Sequence, residues 1–453
     1  PQSPIPNPQL INYNIYINKW KIKSKKMNRL NLLQDQITNN INNINIKEEN
    51  IAYIIDGIRT PITKAFKGGL SKYGPEVLLS ELLTQIISRN SFIKENPKLI
   101  DEIIIGNALQ DIGGFVNSRV AEYLTGIPNT VPLYTVNRLC NSGLQAIINA
   151  NNSIISGDGN IIIAGGVESM SFNSFKKMLD KKLISDEIIN LENEQIKNLL
   201  IPMGITNENI CKKYNISREE QDNFSYNSHL KAVKAKSKLK KEIISIKGYD
   251  KDDCIRENIS LNSLSKLKPV FIKNGSVTAG NSSPLSDGGA LCLLVSKSVI
   301  KKYKIEKNKI LGTIGGYVSV GVPPEIMGVG PSIAIPLLLK KKGLTIDDID
   351  LFEINEAFAG QAIYCIKKLK IPENKIFHMT DMEYLNYLIY GLAQEDVDPE
   401  SVRMSTFSGE LKRVINYKNF SIDVRMGAET MFYTLNAGAT KITYDGVTYV
   451  SDT

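Results

Sequence analysis

Short apolar segments alternate with amphipathic segments along the first half of the chain, and this alternation is the strongest constraint on its fold. Residues 51–55, 102–105 and 160–164 each form an apolar run with the length of one buried strand. Apolar residues at helical spacing occupy 75–90, 117–124 and 142–156 between them. Strands that alternate with helices predict a layered α/β domain, because each helix covers one face of the sheet.

A charged, helix-rich stretch at about 171–269 interrupts this alternation and predicts an insertion. Ser217 followed three residues later by Glu220 is typical of a capped helix start. His229 belongs to the same insertion, and its neighbours predict a helix at the surface. Apolar strand character returns by residue 295, and a second α/β unit begins near residue 309.

Cys140 lies between the strand-like segment 133–136 and the helix predicted over 142–156. Unpaired N–H groups and the positive end of the helix dipole at such a position stabilise a thiolate. The pattern therefore favours a nucleophilic cysteine. The alternative is an inert packing residue, since many cysteines are buried for their size alone.

Three further motifs follow Cys140 in a fixed order. The segment around Cys140 is Val-Asn-Arg-Leu-Cys-Asn-Ser-Gly at 136–143. The three motifs after it are Gly-Gly-Val-Glu-Ser-Met-Ser at 165–171, Thr-Ala-Gly-Asn-Ser-Ser-Pro at 278–284 and Glu-Ile-Asn-Glu-Ala-Phe-Ala at 353–359. Together they resemble the thiolase family over about 51–376. The runs at 66–69 and 321–325 look most like the peroxisomal 3-ketoacyl-CoA members.

The resemblance implies a layered αβαβα fold with a helix-rich loop insertion. It assigns an N-terminal thiolase domain to 51–170 plus 270–300, a loop domain that covers coenzyme A to 171–269, and a partial C-terminal thiolase domain to 301–377. The second half is expected to be truncated and replaced by an unrelated α+β tail at 378–453.

The resemblance also implies a reaction: thiolytic cleavage of a 3-ketoacyl-CoA to acetyl-CoA and a shortened acyl-CoA, as in fatty acid β-oxidation. Cys140 would be the nucleophile and Asn355 would orient a water. Ser283 would contact the pantetheine arm, and Met203 and Met327 would line the acyl pocket. Coenzyme A enters as a substrate, and neither a permanently bound cofactor nor a metal is expected.

Each assigned residue also has a simpler interpretation. Asn355 could cap the helix after it. The loop around Ser283 could be an ordinary turn. A methionine such as Met203 or Met327 is often only a core residue.

The resemblance ends near residue 376. Family members continue with a Gly-His-Pro motif and then a Cys-x-Gly motif, and neither follows here. The first supplies a histidine base and the second a cysteine that protonates the leaving enolate, so we expect impaired or no activity. His378, without the flanking Gly and Pro, is the one candidate substitute for the base. A non-catalytic acyl-CoA-binding or scaffold protein, or an acetoacetyl-CoA-forming thiolase, are the alternatives.

The tail from residue 378 differs from the body in composition, since it holds five of the ten methionines. Residues 383–392 predict a short helix. Alternating residues on either side of Asp445-Gly446 predict a β-hairpin. We expect the truncated second domain to expose apolar sheet edges.

The first 50 residues predict a disordered arm with a possible peroxisomal targeting signal at 29–37, in which Ile37 departs from the usual last residue. A short amphipathic helix is the alternative for this segment, and a cytoplasmic location the alternative to the peroxisome. A peroxisomal import receptor is then a possible partner, and the family resemblance implies a homodimer.

The composition excludes some classes. Five scattered cysteines without a Cys-x-x-Cys pair argue against zinc and against a disulfide framework. The apolar runs are too short for a membrane span. The net charge of +8 comes from spread lysines without interleaved aromatics, which argues against nucleic-acid binding.

Overall fold

The computed structural model describes residues 51–110, 114–173, 193–199 and 201–377, together with five strands between residues 403 and 450. The strands to residue 377 are β1 Ala52–Arg59, β2 Thr63–Lys64, β3 Glu102–Gly106, β4 Leu133–Val136, β5 Ile161–Ser169, β6 Ser286–Ser296, β7 Gly312–Thr313, β8 Ile349–Ile354 and β9 Ile376–Phe377. Those after it are β10 Arg403–Phe407, β11 Glu410–Val414, β12 Phe420–Val424, β13 Lys441–Tyr444 and β14 Val447–Val450.

The helices of the described residues pack against the sheets. They are α1 Pro75–Arg89, α2 Ser91–Glu95, α3 Gly114–Leu124, α4 Ser142–Ser156, α5 Glu194–Leu199, α6 Met203–Tyr214, α7 Arg218–Leu239, α8 Leu261–Ser265, α9 Lys297–Lys302, α10 Gly330–Lys342 and α11 Ala359–Leu369. Short 3-10 turns lie at Pro97–Leu99, Lys307–Lys309, Pro324–Val329 and Glu373–Lys375.

The larger sheet has the strand order β11-β10-β7-β1-β6-β5-β3-β4, with β2 paired to β6. Strands β5, β3 and β4 run parallel, whereas β6 is antiparallel to both β5 and β1. Parallel neighbours require crossover helices, and α3 and α4 provide them. The predicted layered α/β domain is confirmed.

Alternate residues of the central strands enter two separate cores. In β1, Tyr53 and Ile55 join the core beneath α1, whereas Ala52 and Ile54 join the core beneath α4. Five leucine and isoleucine side chains of α1, fully buried in the first core, each contribute about 1.5–3 kcal/mol by burial: Leu78, Leu79, Leu82, Leu83 and Ile86. The sheet is therefore a middle layer between two helical layers.

The N-terminus of α4 packs directly on the ends of β3 and β5. A Cβ added at Gly106 would lie 2.3 Å from the carbonyl carbon of Ser142, and one at Gly166 would lie 2.9 Å from the carbonyl oxygen of Gly106. Glycine at these positions allows this close approach. The turn that carries Cys140 is thereby brought against the carboxyl ends of the parallel strands.

The second sheet is smaller and has the order β12-β8-β9, with all strands parallel. Strand β8 packs with α10 and α11 in a core that includes Ile335, Phe352 and Cys365. Both edges of β8 are paired, and the described strands of this sheet end at β12 on one side and at β9 on the other. Strands β7, β10 and β11 extend the larger sheet beyond the predicted domain boundary at residue 300.

Most predicted elements are confirmed, although several boundaries move. The helix predicted over 75–90 ends one residue earlier, α4 has the predicted bounds, and Ser217 and Glu220 form both bonds of the capping box. Strand β1 is longer than predicted because it continues to Arg59. The hairpin around Asp445-Gly446 is confirmed as β13 and β14 in antiparallel pairing.

The insertion is fastened to β1 through Arg59, whose side chain is fully buried. Its guanidinium donates two hydrogen bonds to Asp252, at 2.8 and 2.9 Å, and one to Glu242, at 2.6 Å. A buried charge of this kind requires close partners, and removing one partner typically costs about 3–5 kcal/mol. Among the residues described, no helix is both long and apolar enough to cross a membrane.

Candidate active site

Cys140 occupies a tight turn between β4 and α4 and is half-buried. Leu139 before it has φ +48°, a left-handed conformation that costs a leucine about 1–3 kcal/mol. Ser142 holds the turn closed, because its hydroxyl accepts from the Arg138 N–H at 2.9 Å and donates to the Leu139 carbonyl at 2.6 Å. The side chain of Asn141, the N-cap residue, does not cap α4. The thiol is thus presented at the positive end of the helix.

The other four cysteines are unsuited to nucleophilic chemistry. Burial raises the pKa of Cys211, Cys254 and Cys365 to about 12 and also raises the pKa of Cys292. These thiols remain protonated at neutral pH. The described part of the chain contains no cluster of three metal-ligating side chains.

Met203 and Met327 meet at Cys140, although 124 residues separate them in the chain. Both are buried in an apolar cluster with Phe271, Val277 and Phe358, against which Leu139 and Cys140 pack. The rings of Phe271 and Phe358 meet edge to face, with centroids 6.1 Å apart. The cluster gives the thiol an apolar neighbourhood, which suits an acyl chain.

The aromatic residues of this cluster were not among the predicted site residues. Phe358 lies within the motif at 353–359, and Phe271 lies just before the loop that carries Ser283. Only the folded chain shows that both rings border Cys140, because the three segments are far apart in sequence.

The loops that carry Ser283 and Asn355 are joined by backbone hydrogen bonds. The Ser283 N–H donates to the Ala357 carbonyl at 2.9 Å, and the Ala359 N–H donates to the Asn281 carbonyl at 3.0 Å. Ser283 is exposed, whereas Asn355 is buried directly after β8. Because the N-cap of α11 is Phe358, the capping interpretation of Asn355 is wrong.

Two acidic residues of the insertion fix the Ser283 loop. Glu208 accepts hydrogen bonds from the N–H groups of Ser276 and Val277, each at 2.9 Å. Asp222 accepts from the Asn281 side chain at 3.0 Å. The interpretation of this loop as an ordinary turn is therefore incomplete. The loop is held on one side by the insertion and on the other by the residues after Asn355.

His229 is on a helix, as predicted, but it is half-buried rather than solvent-exposed. Its Nδ1 accepts from the Arg256 N–H at 3.2 Å, and the guanidinium of Arg256 donates to the Ala279 carbonyl at 3.3 Å. Ser228 donates to Glu356 at 2.7 Å. Burial, together with the nearby charge of Arg256, lowers the pKa of His229.

Glu168 in the second motif is the most perturbed carboxyl near the site. Burial raises its pKa to about 7, although hydrogen bonds from Ala108, Leu109 and Asn107 act in the opposite direction. In the sequence, only the position of Glu168 near the end of a buried strand could have pointed to this perturbed carboxyl. His378, the segment 29–37 and the helix predicted over 383–392 lie outside the described residues.

The fold and the site define a class of α/β enzymes in which a cysteine at a helix N-terminus borders an apolar cluster built from both halves of the chain. The family model for "Thiolase, N-terminal domain" matches residues 52–298, and that for "Thiolase, C-terminal domain" matches residues 308–379. The chain belongs to the thiolase family.

Individual relatives support the same assignment. Peroxisomal 3-ketoacyl-CoA thiolase B of Rattus norvegicus is 44% identical over 338 residues, which cover 71% of this chain and 77% of the rat protein. The dimeric peroxisomal thiolase of Saccharomyces cerevisiae superposes with a TM-score of 0.69 at 38% identity, covering 78% of this chain and 93% of the yeast chain. Human mitochondrial 3-ketoacyl-CoA thiolase in complex with CoA gives a TM-score of 0.63 at 31% identity, covering 76% of this chain and 92% of the human chain.

Proposed function

We propose that this chain is an acetyl-CoA C-acyltransferase that cleaves 3-ketoacyl-CoA, as the named peroxisomal relatives do, and that Cys140 carries the acyl group. The observation that supports this most is the convergence of Cys140, Met203 and Met327 in one apolar cluster. A tail of methylene groups would extend along these methionines while the ketone carbon lies at the sulfur.

The chemistry follows from a thiolate at Cys140. The sulfur attacks the ketone carbon, the bond between that carbon and the α carbon breaks, and the electron pair leaves as the acetyl-CoA enolate, which takes up a proton. The thiol of a second coenzyme A then attacks the Cys140 thioester and releases the shortened acyl-CoA. A water oriented by Asn355 would stabilise the developing negative charge on oxygen.

Coenzyme A is proposed as the substrate that enters over the Ser283 loop. Ser283 is exposed there, and its backbone is fixed by the bond to Ala357, so its hydroxyl could contact a pantetheine arm without further ordering. The basic group of Arg256 is bonded to the same loop at Ala279. Such a neighbour would attract the phosphates of the coenzyme.

The histidine base and the second cysteine of the family motifs have no counterpart in the sequence after residue 376. General acid–base assistance is commonly worth about a hundredfold to ten-thousandfold for each group. We therefore expect slow acylation of Cys140 and slower turnover. His378 is the proposed substitute for the base.

Mass spectrometry of the intact protein after mixing with a 3-ketoacyl-CoA tests this proposal. We expect one acyl adduct per chain, absent in Cys140→Ser and discharged when coenzyme A is added. A folded chain that forms no adduct would contradict an acyl transferase. If Cys140→Ala then binds coenzyme A with unchanged affinity, the chain is the alternative, a non-catalytic acyl-CoA-binding protein.

We propose that the chain forms a homodimer through the exposed edge of the larger sheet. Among the strands that the structure describes, β4 is the last on that side, and α3 beside it exposes Tyr123 and Leu124 by 57% and 64%. An unpaired edge flanked by apolar side chains is typical of an interface. The similar peroxisomal thiolase of Saccharomyces cerevisiae is dimeric.

A peroxisomal location is proposed from the run at 29–37 and from the peroxisomal relatives. An import receptor that reads this segment would be the corresponding partner. Fusion of residues 27–50 to a fluorescent protein tests the signal: we expect punctate fluorescence, and diffuse fluorescence with Leu30→Glu as the control. Diffuse fluorescence of the unaltered fusion would favour a cytoplasmic location.

A further inference from the structure

Glu168 is connected to the turn of Cys140 by a continuous series of hydrogen bonds. Its carboxylate accepts from the Ala108 N–H at 2.8 Å and from the Asn107 side chain at 2.9 Å. The carbonyl of Ala108 accepts from the Asn137 side-chain amide at 3.0 Å. The carbonyl oxygen of that same amide accepts from the Leu139 N–H at 2.9 Å.

We infer that Glu168 and Asn137 are positioning residues for Cys140, acting through Ala108 and Leu139. We call these four residues the turn brace. This inference rests on the proposed role of Cys140 as the nucleophile, and the experiment below separates the two.

Leu139 is the reason that a brace is required. Its left-handed φ of +48° is unfavourable for a leucine, so the turn would relax toward an ordinary conformation unless other contacts oppose this. Asn137 fixes the Leu139 N–H from one side, and the Ser142 hydroxyl fixes the Leu139 carbonyl from the other. Relaxation of Leu139 would change the direction in which the next residue, Cys140, presents its sulfur.

Glu168 fixes the position of Asn137 rather than that of Leu139. The segment after β3 is held at its start by the hydrogen bond from the Asn107 N–H to the Val136 carbonyl, at 3.1 Å. The two carboxylate oxygens of Glu168 accept hydrogen bonds from the N–H groups of Ala108 and Leu109. In this arrangement the Ala108 carbonyl accepts the hydrogen bond from Asn137.

Alkylation of Cys140 by iodoacetamide, followed by peptide mass spectrometry, measures the presentation of the sulfur without requiring turnover. Asn137 is exposed, so Asn137→Ala is expected to fold. We expect it to change the alkylation rate constant of Cys140 by about three- to tenfold, the range for the loss of one or two hydrogen bonds. Glu168→Gln, which places an N–H donor against other donors, should act in the same direction, and Cys254 in the same digest should not change.

Two matched controls lie outside the brace. Glu102→Gln alters a half-buried carboxyl at the opposite end of β3, and Asn152→Ala alters an exposed asparagine on α4. Both should leave the alkylation of Cys140 unchanged. Circular dichroism and the melting temperature establish that each variant is folded.

Leu139→Gly gives a readout that general destabilisation would not produce. Glycine adopts a positive φ without cost, so in this background the turn has little tendency to relax and the turn brace matters less. The effect of Asn137→Ala should then fall to less than half of its value in the parent chain. Equal effects in both backgrounds would overturn the inference, as would an unchanged alkylation rate in Asn137→Ala and Glu168→Gln.

The outcome is distinguishable from failure of the proposed function. If no acyl adduct forms with 3-ketoacyl-CoA but the alkylation rates respond as described, the turn brace stands and the acyltransferase proposal fails. If the adduct forms and the variants alkylate like the parent chain, the proposed function stands and the brace fails.

Discussion

Cys140 combines two environments that act on a thiolate in opposite directions. The apolar cluster around Met327 and Phe358 disfavours a buried negative charge, whereas the N-terminus of α4 favours it. A nucleophile placed on this border can react with an acyl group that is itself apolar. The strained Leu139 beside it is held by hydrogen bonds to Asn137 and Ser142.

Glu168 makes the stability of the folded chain depend on pH. Its pKa is raised from 4.5 to about 7, mainly by burial, so the folded chain keeps a proton that the unfolded chain has released. The free energy of unfolding should therefore fall as pH rises from about 4.5 to 7, by at most about 3 kcal/mol from this group. Urea unfolding at pH 5 and at pH 7.5 measures this. Glu168→Gln should lose less stability over that interval than the parent chain, and an equal loss in both would contradict the assignment.

The sequence indicated candidate site residues, but it did not indicate the contacts that hold them in place. Cys140, Met203 and Met327, which only the family resemblance assigned to one site, lie together at one apolar cluster in the folded chain. The bond between the Ser283 loop and Ala357 was not foreseeable, since it joins two irregular segments through the backbone. The same holds for Arg59, whose buried charge is stabilised by Asp252 from another part of the chain.

At the level of elements, strand lengths were underestimated wherever glycine or a charged residue follows an apolar run. Strand β5 continues through Gly165 and Glu168 because pairing with β6 satisfies its backbone. Glycine usually weakens a strand, but here it permits α4 to approach. A pattern of side chains contains no information on that approach, which is a property of two elements packed together.

Strand β12 protects β8, and this can be tested in the full chain. Ile422 pairs with Phe352 in parallel register. Ile422→Pro removes a backbone donor and disfavours strand geometry, so we expect a lower melting temperature and more aggregation. Tyr449→Pro is the matched control, because it disrupts only the separate hairpin β13–β14. Equal melting temperatures for Ile422→Pro and the parent chain would mean that β12 contributes nothing to the second domain.

Helix α3 is expected to carry the contact between two copies. Tyr123→Glu with Leu124→Glu places two charges on its exposed apolar surface, and we expect a shift from dimer to monomer. Light scattering after size-exclusion chromatography measures the mass. Leu337→Glu, at a residue of α10 that is 46% exposed, should remain dimeric. A dimer that persists in the α3 variant would place the interface elsewhere.

For the whole molecule, the segment after residue 376, the predicted tail, contains neither a Gly-His-Pro nor a Cys-x-Gly motif. The tail strands complete both sheets, β10 and β11 in the larger one and β12 in the smaller one. Sheet pairing depends on the backbone and tolerates many sequences, whereas acid–base catalysis requires particular side chains at particular points. The fold can therefore persist where the catalytic groups do not.

If the fold persists without the histidine base, a small base added to the solution should restore part of the reaction rate. Added imidazole is small enough to reach the half-buried Cys140 and can take up the thiol proton, so the rate of acyl adduct formation should rise several-fold and then saturate. Cys140→Ser should not respond. If imidazole has no effect on a chain that forms the adduct, a base is already present. In that case His378→Asn should abolish the basal rate and restore the response to imidazole, whereas His229→Asn should do neither.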